Sequence, residues 1–427
     1  MLPFGTTPVG MSLDENATAG NNSAHIARDA AGHVHMIWVD SGRPDGRTGA
    51  MYRRAMTAPD GTVRFDTGIE DLAERSPGEW NAYPGLAVTG ETVHFVWQAG
   101  GTARYRSLTH DSAGWHWSSE VDTGAASGGR DIGPAIVADA GSVHIVTPAG
   151  MYAVSTDGGR TWKSESIPIP AGTSIKSDSI ALDPRGDAVI AASVRVRLLN
   201  GSTKERGSGA YWELLTFRRA RNGRWEAPVS PLAELPEWGP GSTSEDVVVD
   251  WTRIATDLAG GTHLTWHGSA VQRIFGHDRA YYAWRENGSD WQPPVPLRGP
   301  DTSRGIRYSY APSLALAGDI ALPLVFYDVR LGSRDMGFDS ELDRFRDGNS
   351  LGAPLPVTRF VRQAIDTGQP ANALGARFPA AAPAVYRAPD GRVWLDVLET
   401  LVPTGVPDQP KLIAYRRVDV TDWLPTK

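Results

Sequence analysis

Four side chains of this sequence have the chemistry to act on a substrate that carries a carboxylate. They are His25, Arg253, His267 and Tyr310. An arginine neutralises a carboxylate through two parallel hydrogen bonds, and a histidine or a tyrosine transfers protons. These are the tasks of β-elimination at a uronate, in which the C5 proton is removed and the leaving oxygen is protonated. We therefore predict that these four residues are catalytic.

Hydrolysis of a glycosidic bond needs a different set, namely two carboxyl groups or a tyrosine with an acid. Acidic residues stand at or near the ends of several predicted strands, and the candidates are Asp40, Asp131, Asp250, Asp328 and Glu399. The residue types alone leave elimination and hydrolysis both open.

A second group of side chains is predicted to bind substrate. It consists of Trp80, Asn81, Arg130, Asp131, Arg195, Arg273, His277 and Arg377. Three long loops are predicted on the same face, at 193–210, 267–279 and 327–347, and the last includes a predicted short helix at 339–347. The first loop carries four basic residues against one acid in a chain of net charge −7. This favours an anionic ligand; the alternative is that the arginines are solvated or paired with neighbouring acids.

The elements that must position these residues come from an internal repeat. Each unit has a first strand with an apolar-Ala pair and a second strand such as VHMIW, VHFVW, VHIVT or THLTW. The first strands are predicted at 23–29, 83–89, 133–139, 177–183, 252–257, 311–317 and 382–388. The second strands are predicted at 33–40, 92–99, 142–149, 187–194, 261–268, 319–328 and 392–399. Units of this length without helical periodicity are typical of β-propeller blades.

The repeat predicts an all-β protein with one β-propeller domain over residues 1–427. Seven blades are expected, with six as the alternative if one weak unit is misread. Their approximate bounds are 20–70, 78–123, 128–170, 173–235, 245–298, 305–365 and 376–423.

The first strands differ at the residue before the apolar-Ala pair. Five blades have a small residue there, and two have the large polar residues His25 and Arg253. Small residues near the axis leave room for a ligand, so the two exceptions either reach towards it or fill the channel. The histidine of the second strand recurs instead at one place per blade, as His35, His94, His144 and His263. Positions spread around a ring cannot share a metal ion, so we interpret these four as framework residues.

One turn matches a known motif. STDGGRTW, residues 155–162, has the form Ser-x-Asp-x-Gly-x-Thr-Trp, and weaker copies occur at 109–117, 219–225 and 285–291. The motif and the repeat resemble the Asp-box (BNR-repeat) hairpins of the sialidase-like β-propeller superfamily. The resemblance implies that Asp157 and Trp162 are structural and that the active site lies on the opposite face. RYSYAPSL at 307–314 looks like the segment that carries the sialidase nucleophile, although an Arg-Ile-Pro motif near the start is absent.

Composition excludes several classes of function. There is no cysteine, which excludes disulfides and thiolate metal sites. The acidic balance and the lack of aromatic residues among the basic ones argue against a nucleic-acid partner. No apolar run is long enough for a membrane helix, and the first residues do not look like a signal peptide. We expect a cytoplasmic protein, or a secreted one whose signal has been removed, with no metal or cofactor; a structural calcium ion has no recognisable spacing to support it.

The superfamily resemblance includes sialidases, other exo-glycosidases, polysaccharide lyases of the ulvan-lyase type and non-catalytic glycan binders. We therefore predict a carbohydrate-active enzyme that cleaves a glycosidic bond at an acidic, uronate- or sialate-type sugar, as a sialidase-like glycoside hydrolase. The alternatives are a propeller lyase that acts by β-elimination on a uronate, and a glycan-binding propeller without activity. A binder should repeat its pocket from blade to blade, whereas the polar residues of the predicted mouth differ, which favours one central site.

Overall fold

The repeat forms strands because its second-strand segments are rich in β-branched and aromatic residues, which suit a pleated and buried surface. In a computed structural model of the chain, the described residues are 6–19, 22–41, 48–58, 62–73, 82–128, 132–171, 173–197, 210–232, 248–269, 279–297, 306–317, 322–331, 338–346, 349–350, 353–358, 363, 374–403 and 409–424.

The strands are numbered along the chain and fall into seven sheets, which we call blades 1 to 7. Strand β1 spans Thr7–Ser12. Blade 1 contains β2 (Ile26–Arg28), β3 (His33–Asp40), β4 (Gly49–Thr57), β5 (Val63–Phe65) and β6 (Glu70–Asp71). Blade 2 contains β7 (Ala82–Thr89), β8 (Thr92–Ala99), β9 (Thr102–Asp111), β10 (Gly114–Trp117) and β11 (Val121–Ala126). Blade 3 contains β12 (Ala135–Ala138), β13 (Val143–Thr147), β14 (Met151–Ser155) and β15 (Lys163–Ser166).

The remaining four blades follow in the same way. Blade 4 contains β16 (Thr173–Leu182), β17 (Ala188–Arg197) and β18 (Ala210–Arg219). Blade 5 contains β19 (Val248–Thr256), β20 (Thr262–Ser269), β21 (Arg279–Arg285) and β22 (Val295–Pro296). Blade 6 contains β23 (Ile306–Leu316), β24 (Pro323–Leu331), β25 (Phe338–Arg346), β26 (Asn349–Ser350) and β27 (Leu355–Thr358). Blade 7 contains β28 (Leu374–Ala381), β29 (Tyr386–Arg387), β30 (Val393–Pro403) and β31 (Lys411–Asp419), with β1 at its outer edge, and a 3-10 helix follows at Thr421–Trp423.

The blades form a ring. The first strands of successive blades contact one another around the centre, and within each blade the consecutive strands are antiparallel. Strand β1 pairs with β31, so that both ends of the chain meet in blade 7 and close the ring. The prediction of an all-β, seven-bladed propeller is confirmed, and the six-bladed alternative is wrong because the described strands form seven sheets. In the described part of the chain, no helix is long and apolar enough to cross a membrane.

Two expectations about the strands are corrected. The segment 339–347, predicted as a short helix, belongs almost entirely to β25, where Asp339, Glu341 and Asp343 are buried between blades. In blade 7 the inner strand begins at Leu374 rather than at 382. The small residue of blade 7 at the level of His25 and Arg253 is therefore Ala380, which pairs with Leu398. The predicted strand bounds of 382–388 would place Ala384 at this position. A bulge after Arg377 obscures the repeat pattern there.

The repeated histidines each bond to a tyrosine on the neighbouring third strand. The distance from the histidine Nδ1 to the tyrosine Oη is similar in all four blades. It is 2.9 Å for His35 and Tyr52, 2.7 Å for His94 and Tyr105, 2.5 Å for His144 and Tyr152, and 2.8 Å for His263 and Tyr282. Blade 7 has Asp396 instead, which accepts a 2.7 Å bond from Tyr415. Burial lowers the pKa of His94 to about 4, so its imidazole is neutral and fits this buried framework role.

The Asp-box is a local turn. Asp157 accepts bonds from Arg160 N, Thr161 N and Thr161 Oγ1 at 3.1, 2.9 and 2.6 Å, and these bonds hold the pKa of its carboxyl well below the usual range. Gly159 has a φ of +89°, and a Cβ there would lie 2.0 Å from the ring of Tyr105. The box therefore fixes the edge of blade 3 against blade 2.

The histidine–tyrosine pairs can be tested in blade 5. His263→Leu should destabilise the protein by about 1–3 kcal/mol, because its bonds to the Tyr282 hydroxyl and to Asp257 Oδ2 are both lost, and Tyr282→Phe should cost roughly 1 kcal/mol. The double variant should cost clearly less than the sum of the two, as measured by denaturant unfolding. Strictly additive free energies would show that the two side chains do not form a coupled pair.

Candidate functional site

The inner strands bend at one level of the ring. Tyr83, Trp251, Ala311 and Phe378 have positive φ angles of 54°, 47°, 47° and 50°. Each lies at a bulge in the first strand of its blade, in blades 2, 5, 6 and 7. Residues other than glycine adopt this conformation at a cost of about 1–3 kcal/mol, and such strain is concentrated at functional sites.

Two of these residues close the centre of the face that carries the ends of the second strands, which we call the rim face. The rings of Trp251 and Phe378 meet edge to face with their centroids 4.9 Å apart, and Ala311 and Ala19 pack against them. The ring of His267 lies 5.8 Å from that of Trp251. The apolar contact joins blades 5, 6 and 7 to the N-terminal part of the chain.

That N-terminal part comprises residues 13–19 and 22–25, which together we call the crossing segment. It runs from the outer edge of blade 7 to the inner strand of blade 1. Thr18 Oγ1 donates to Phe378 O at 2.8 Å, and Asn22 Nδ2 donates to Gly133 O of blade 3 at 2.7 Å. The crossing segment therefore spans the mouth of the channel on the rim face.

Two buried acids lie beside this closure, within β24 of blade 6 and β30 of blade 7. Asp328 Oδ2 accepts a 2.9 Å bond from Phe378 N, and Oδ1 has no hydrogen-bond partner among the described residues. Burial raises the pKa of Asp328 well above its usual range; the Phe378 N–H and Arg377 oppose this, and the nearby Glu399 adds to it. Burial therefore favours the protonated form of Asp328.

The second acid, Glu399, is fully buried and hydrogen-bonded. Its Oε1 accepts a 2.5 Å bond from Ser340 Oγ, and its Oε2 lies 3.6 Å from Arg416 Nε. Ser340 and Asp328 are direct partners across β25 and β24, and side chains at paired positions project from the same face of a sheet. Asp328, Ser340 and Glu399 thus form one group between blades 6 and 7, which we call the acid pair site.

A charged group of blades 4 and 5 lies on the same rim face. Lys176 Nζ lies 2.5 Å from Asp250 Oδ2, and Asp250 is the strand partner of His267. Burial, with a smaller contribution from Lys176, lowers the pKa of His267 to about 3. His267 is therefore neutral at physiological pH, and it is also a very weak base.

The predicted catalytic residues are placed as follows. Arg253 and His25 occupy equivalent positions of the inner strands of blades 5 and 1, and both are buried. His267 adjoins Trp251 on the rim face. Tyr310 is the strand partner of Asp328, although only its backbone is described. The fold thus places the backbone of Tyr310 beside Asp328 of the acid pair site in blade 6, and it places His267 in the adjacent blade 5.

Of the predicted substrate-binding residues, Arg377 is the one whose side chain is described. Arg377 Nη1 lies 2.6 Å from Glu15 Oε2 of the crossing segment. This agrees with the alternative given above, in which the arginines pair with neighbouring acids. The backbone of Arg195 belongs to β17, and its side chain is not described. The others lie outside the described residues and stay predictions: Trp80, Asn81, Arg130, Asp131, Arg273 and His277.

One buried acid was not expected from the sequence. Asp178 on the inner strand of blade 4 is inaccessible to solvent, and burial raises its pKa to about 8, although the Asn22 side chain of the crossing segment opposes this. Asp178 belongs to the first-strand segment SDSIALD, residues 177–183. The alternating pattern of this segment is the same as in the other first strands, so it does not mark Asp178 as buried. Lys176 was missed for a related reason, since a bulge residue has no fixed place in the pattern.

A cavity of about 420 Å³ lies away from the rim, between blades 3 and 4 on the Asp-box face. Its polar lining includes His144 and Tyr152 of the framework and Arg219, which pairs with Glu165. These groups already bond to one another, so we place the candidate site at the acid pair and not in this cavity.

Comparison with known proteins supports the fold. No protein-family model matches the chain, and no curated protein matches it in sequence. The polysaccharide lyase PL25, an ulvan lyase, is similar in structure with a TM-score of 0.57 and 12% identity over 96% of this chain and 94% of that chain. The same type of lyase bound to -[GlcA(1-4)Rha3S]- has a TM-score of 0.56 and 13% identity over the same shares. The NanB sialidase of Streptococcus pneumoniae has a TM-score of 0.45 and 10% identity, over 97% of this chain and 70% of that chain. At these identities the likeness to the two lyase structures shows the propeller fold alone.

The raised pKa of Asp178 predicts a pH dependence of stability. A group whose pKa rises to about 8 on folding stabilises the protein below its unfolded pKa near 3.8, and this contribution is lost as the pH rises towards 8. Asp178 should therefore reduce the free energy of unfolding by up to about 1.4 kcal/mol per pH unit in this window.

Asp178→Asn should accordingly have a flatter stability profile than the wild type and be more stable near the upper end of the window. Denaturant unfolding at a series of pH values measures this, with Asp122→Asn at an exposed position as the control that keeps the wild-type slope. An unchanged slope in Asp178→Asn would mean that Asp178 is ionised in the folded protein.

Proposed function

We propose that this protein is a carbohydrate-active enzyme that hydrolyses a glycosidic bond at an acidic sugar, with Asp328 as general acid and Glu399 as the second carboxyl group. The observation that carries the proposal is the acid pair site, where burial, with a contribution from the nearby Glu399, raises the pKa of Asp328. Two carboxyl groups in different environments are the equipment that glycoside hydrolysis requires.

In this proposal, Asp328 donates its proton to the leaving oxygen as the glycosidic bond breaks. Glu399 stabilises the positive charge that develops on the sugar or activates the attacking water, and Ser340 holds its Oε1 in place. Tyr310 stands opposite Asp328 in β23 and is the further candidate for contact with the sugar.

The charge of the substrate is inferred from Arg377. Its guanidinium is bonded to the carboxylate of Glu15, and Glu15 is half exposed on the crossing segment. A uronate or sialate carboxylate has the same geometry as the Glu15 side chain and can replace it in a bidentate bond. An acidic sugar would therefore be positioned next to the acid pair site by exchange of one carboxylate for another.

Elimination is the second candidate, with His267 and Tyr310 as the groups that transfer protons. The low pKa of His267, about 3, argues against it, because a general base works best when its pKa lies near the working pH. The adjoining Lys176 is a cation that suits a uronate carboxylate and is the observation in its favour.

The two candidates give different products. We expect incubation with sialyllactose, glucuronate-terminated glycans, pectin and ulvan to release new reducing ends from at least one substrate without the ultraviolet absorbance of an unsaturated uronate. That absorbance would identify a lyase instead. Retention on a glycan array without any product would identify a binding protein and contradict the proposal.

The roles of the two acids can be tested by isosteric substitution. Asp328→Asn should lower kcat by about 10²–10⁴-fold, since an amide cannot serve as the acid, and Glu399→Gln should have a loss of similar order. Wild-type activity should fall as the pH rises through the raised pKa of Asp328, because the acid is then ionised.

Asp390→Asn is the matched control, since this acid lies in an exposed turn on the Asp-box face and its carboxylate bonds to the neighbouring Arg392 and to no other side chain of the described residues. It should keep the wild-type rate. Circular dichroism and thermal unfolding verify that each variant is folded. Full activity in a folded Asp328→Asn protein would rule out the proposed acid.

A further inference from the structure

The central channel contains a cavity of its own, on the side away from the rim face. It has a volume of about 220 Å³ and is lined by residues of all seven blades. Its walls are almost entirely apolar, and the residues that form its deep part include Leu86, Ile136, Ile180, Ile254 and Leu314. The volume is below the range of about 300–1,000 Å³ that is usual for drug-sized ligands, so the cavity suits a small molecule.

The cavity opens towards the Asp-box face. Leu86, Ile136 and Ile180 are buried, whereas Val88 and Leu182, two residues further along the inner strands, are partly exposed. The inner strands run from the rim face to the Asp-box face, so solvent reaches the cavity from the latter side. On the rim side the crossing segment and the Trp251–Phe378 contact separate it from the acid pair site.

The deep end of this apolar cavity is occupied by a cation. Arg253 lines the cavity and is only 9% exposed. Burial is the one influence that shifts its pKa, to about 10, and no carboxylate of the described residues acts on it. Arg253 is therefore still charged at neutral pH, in surroundings where an unpaired charge costs several kcal/mol.

A hydroxyl group lies at the same level. Thr265 is the direct strand partner of Arg253, and its Oγ1 is buried without a hydrogen-bond partner in the described part of the chain. Side chains at paired positions project from the same face of a sheet, so this hydroxyl lies on the same side of blade 5 as the Arg253 side chain, although Thr265 is not one of the residues that line the cavity. Because Arg253 lines the cavity and has no acceptor among the described residues, this buried cation calls for an anion.

We propose that the central channel binds a small monocarboxylate with an apolar body, whose carboxylate pairs with Arg253 and whose body contacts the apolar walls. The guanidinium offers two parallel N–H bonds to the carboxylate. The walls favour an aliphatic or aromatic body over a hydrated inorganic anion, because burying apolar surface is favourable. This site is distinct from the proposed hydrolytic site and lies on the other side of the crossing segment.

The probes are benzoate and hexanoate, with benzamide and hexanamide as uncharged controls of the same shape. Isothermal titration calorimetry and thermal unfolding of the full chain measure the binding. We expect saturable binding of the carboxylates that is at least about tenfold tighter than that of the amides, with a matching rise in Tm. No saturable binding of either carboxylate would overturn the proposal.

The variant that tests the anion partner is Arg253→Met, which keeps the volume of the side chain and removes its charge. It should lose the preference for carboxylate over amide by about tenfold or more, and its Tm without ligand should equal or exceed that of the wild type, since an uncompensated charge is gone. Arg221→Met, at an exposed arginine in the cavity between blades 3 and 4, is the matched control and should bind as the wild type does.

Two further results would contradict the inference. One is an Arg253→Met protein that is folded and still binds benzoate as tightly as the wild type. The other is chloride displacing benzoate at equal affinity, which would show that the apolar walls contribute nothing. All readouts are of binding and stability, so their outcome is independent of whether the protein hydrolyses glycans.

Discussion

The pairing of β1 with β31 determines the rest of the structure. Because β1 occupies the outer edge of blade 7 and β2 is the inner strand of blade 1, the chain between them has to travel from the periphery to the axis. The crossing segment is the result, and it covers the channel with Thr18, Ala19 and Asn22. Ring closure therefore stabilises the propeller and, through the same few residues, separates the rim face from the channel beneath it.

The enclosed centre accounts for the unusual ionisation of its polar groups. Asp328 and Asp178 have raised pKa values, and those of Arg253 and His267 are lowered, in every case chiefly because burial disfavours the charged form. Propeller blades pack through apolar side chains, so each polar group at their inner edges is an exception that costs stability. Such exceptions are expected where a protein binds or transforms a ligand.

Much of the architecture could be predicted from the sequence, because every blade repeats the same local pattern of strand, turn and framework histidine. Asp328 and Glu399 were found as candidates since each ends a second strand as predicted from the sequence, although the strands in the structure continue to Leu331 and Pro403. Their proximity could not be predicted, because it depends on the Ser340 bond across two blades and on the bulge at Phe378. Asp178 was missed because its burial depends on contacts between blades, and Lys176 was missed because it lies at a bulge. Both features are set by tertiary contacts that the sequence of a single repeat unit does not encode.

The central claim is that burial, with a smaller contribution from the nearby Glu399, raises the pKa of Asp328 and so favours its protonated carboxyl in the folded protein. Carboxyl-carbon NMR of the wild type, Asp328→Asn and Glu399→Gln, followed as a function of pH, tests it most directly. The account predicts a protonated carboxyl resonance near neutral pH that is absent in Asp328→Asn and that titrates at lower pH in Glu399→Gln. A resonance of Asp328 that is already ionised near neutral pH, or one that titrates unchanged without Glu399, would contradict it.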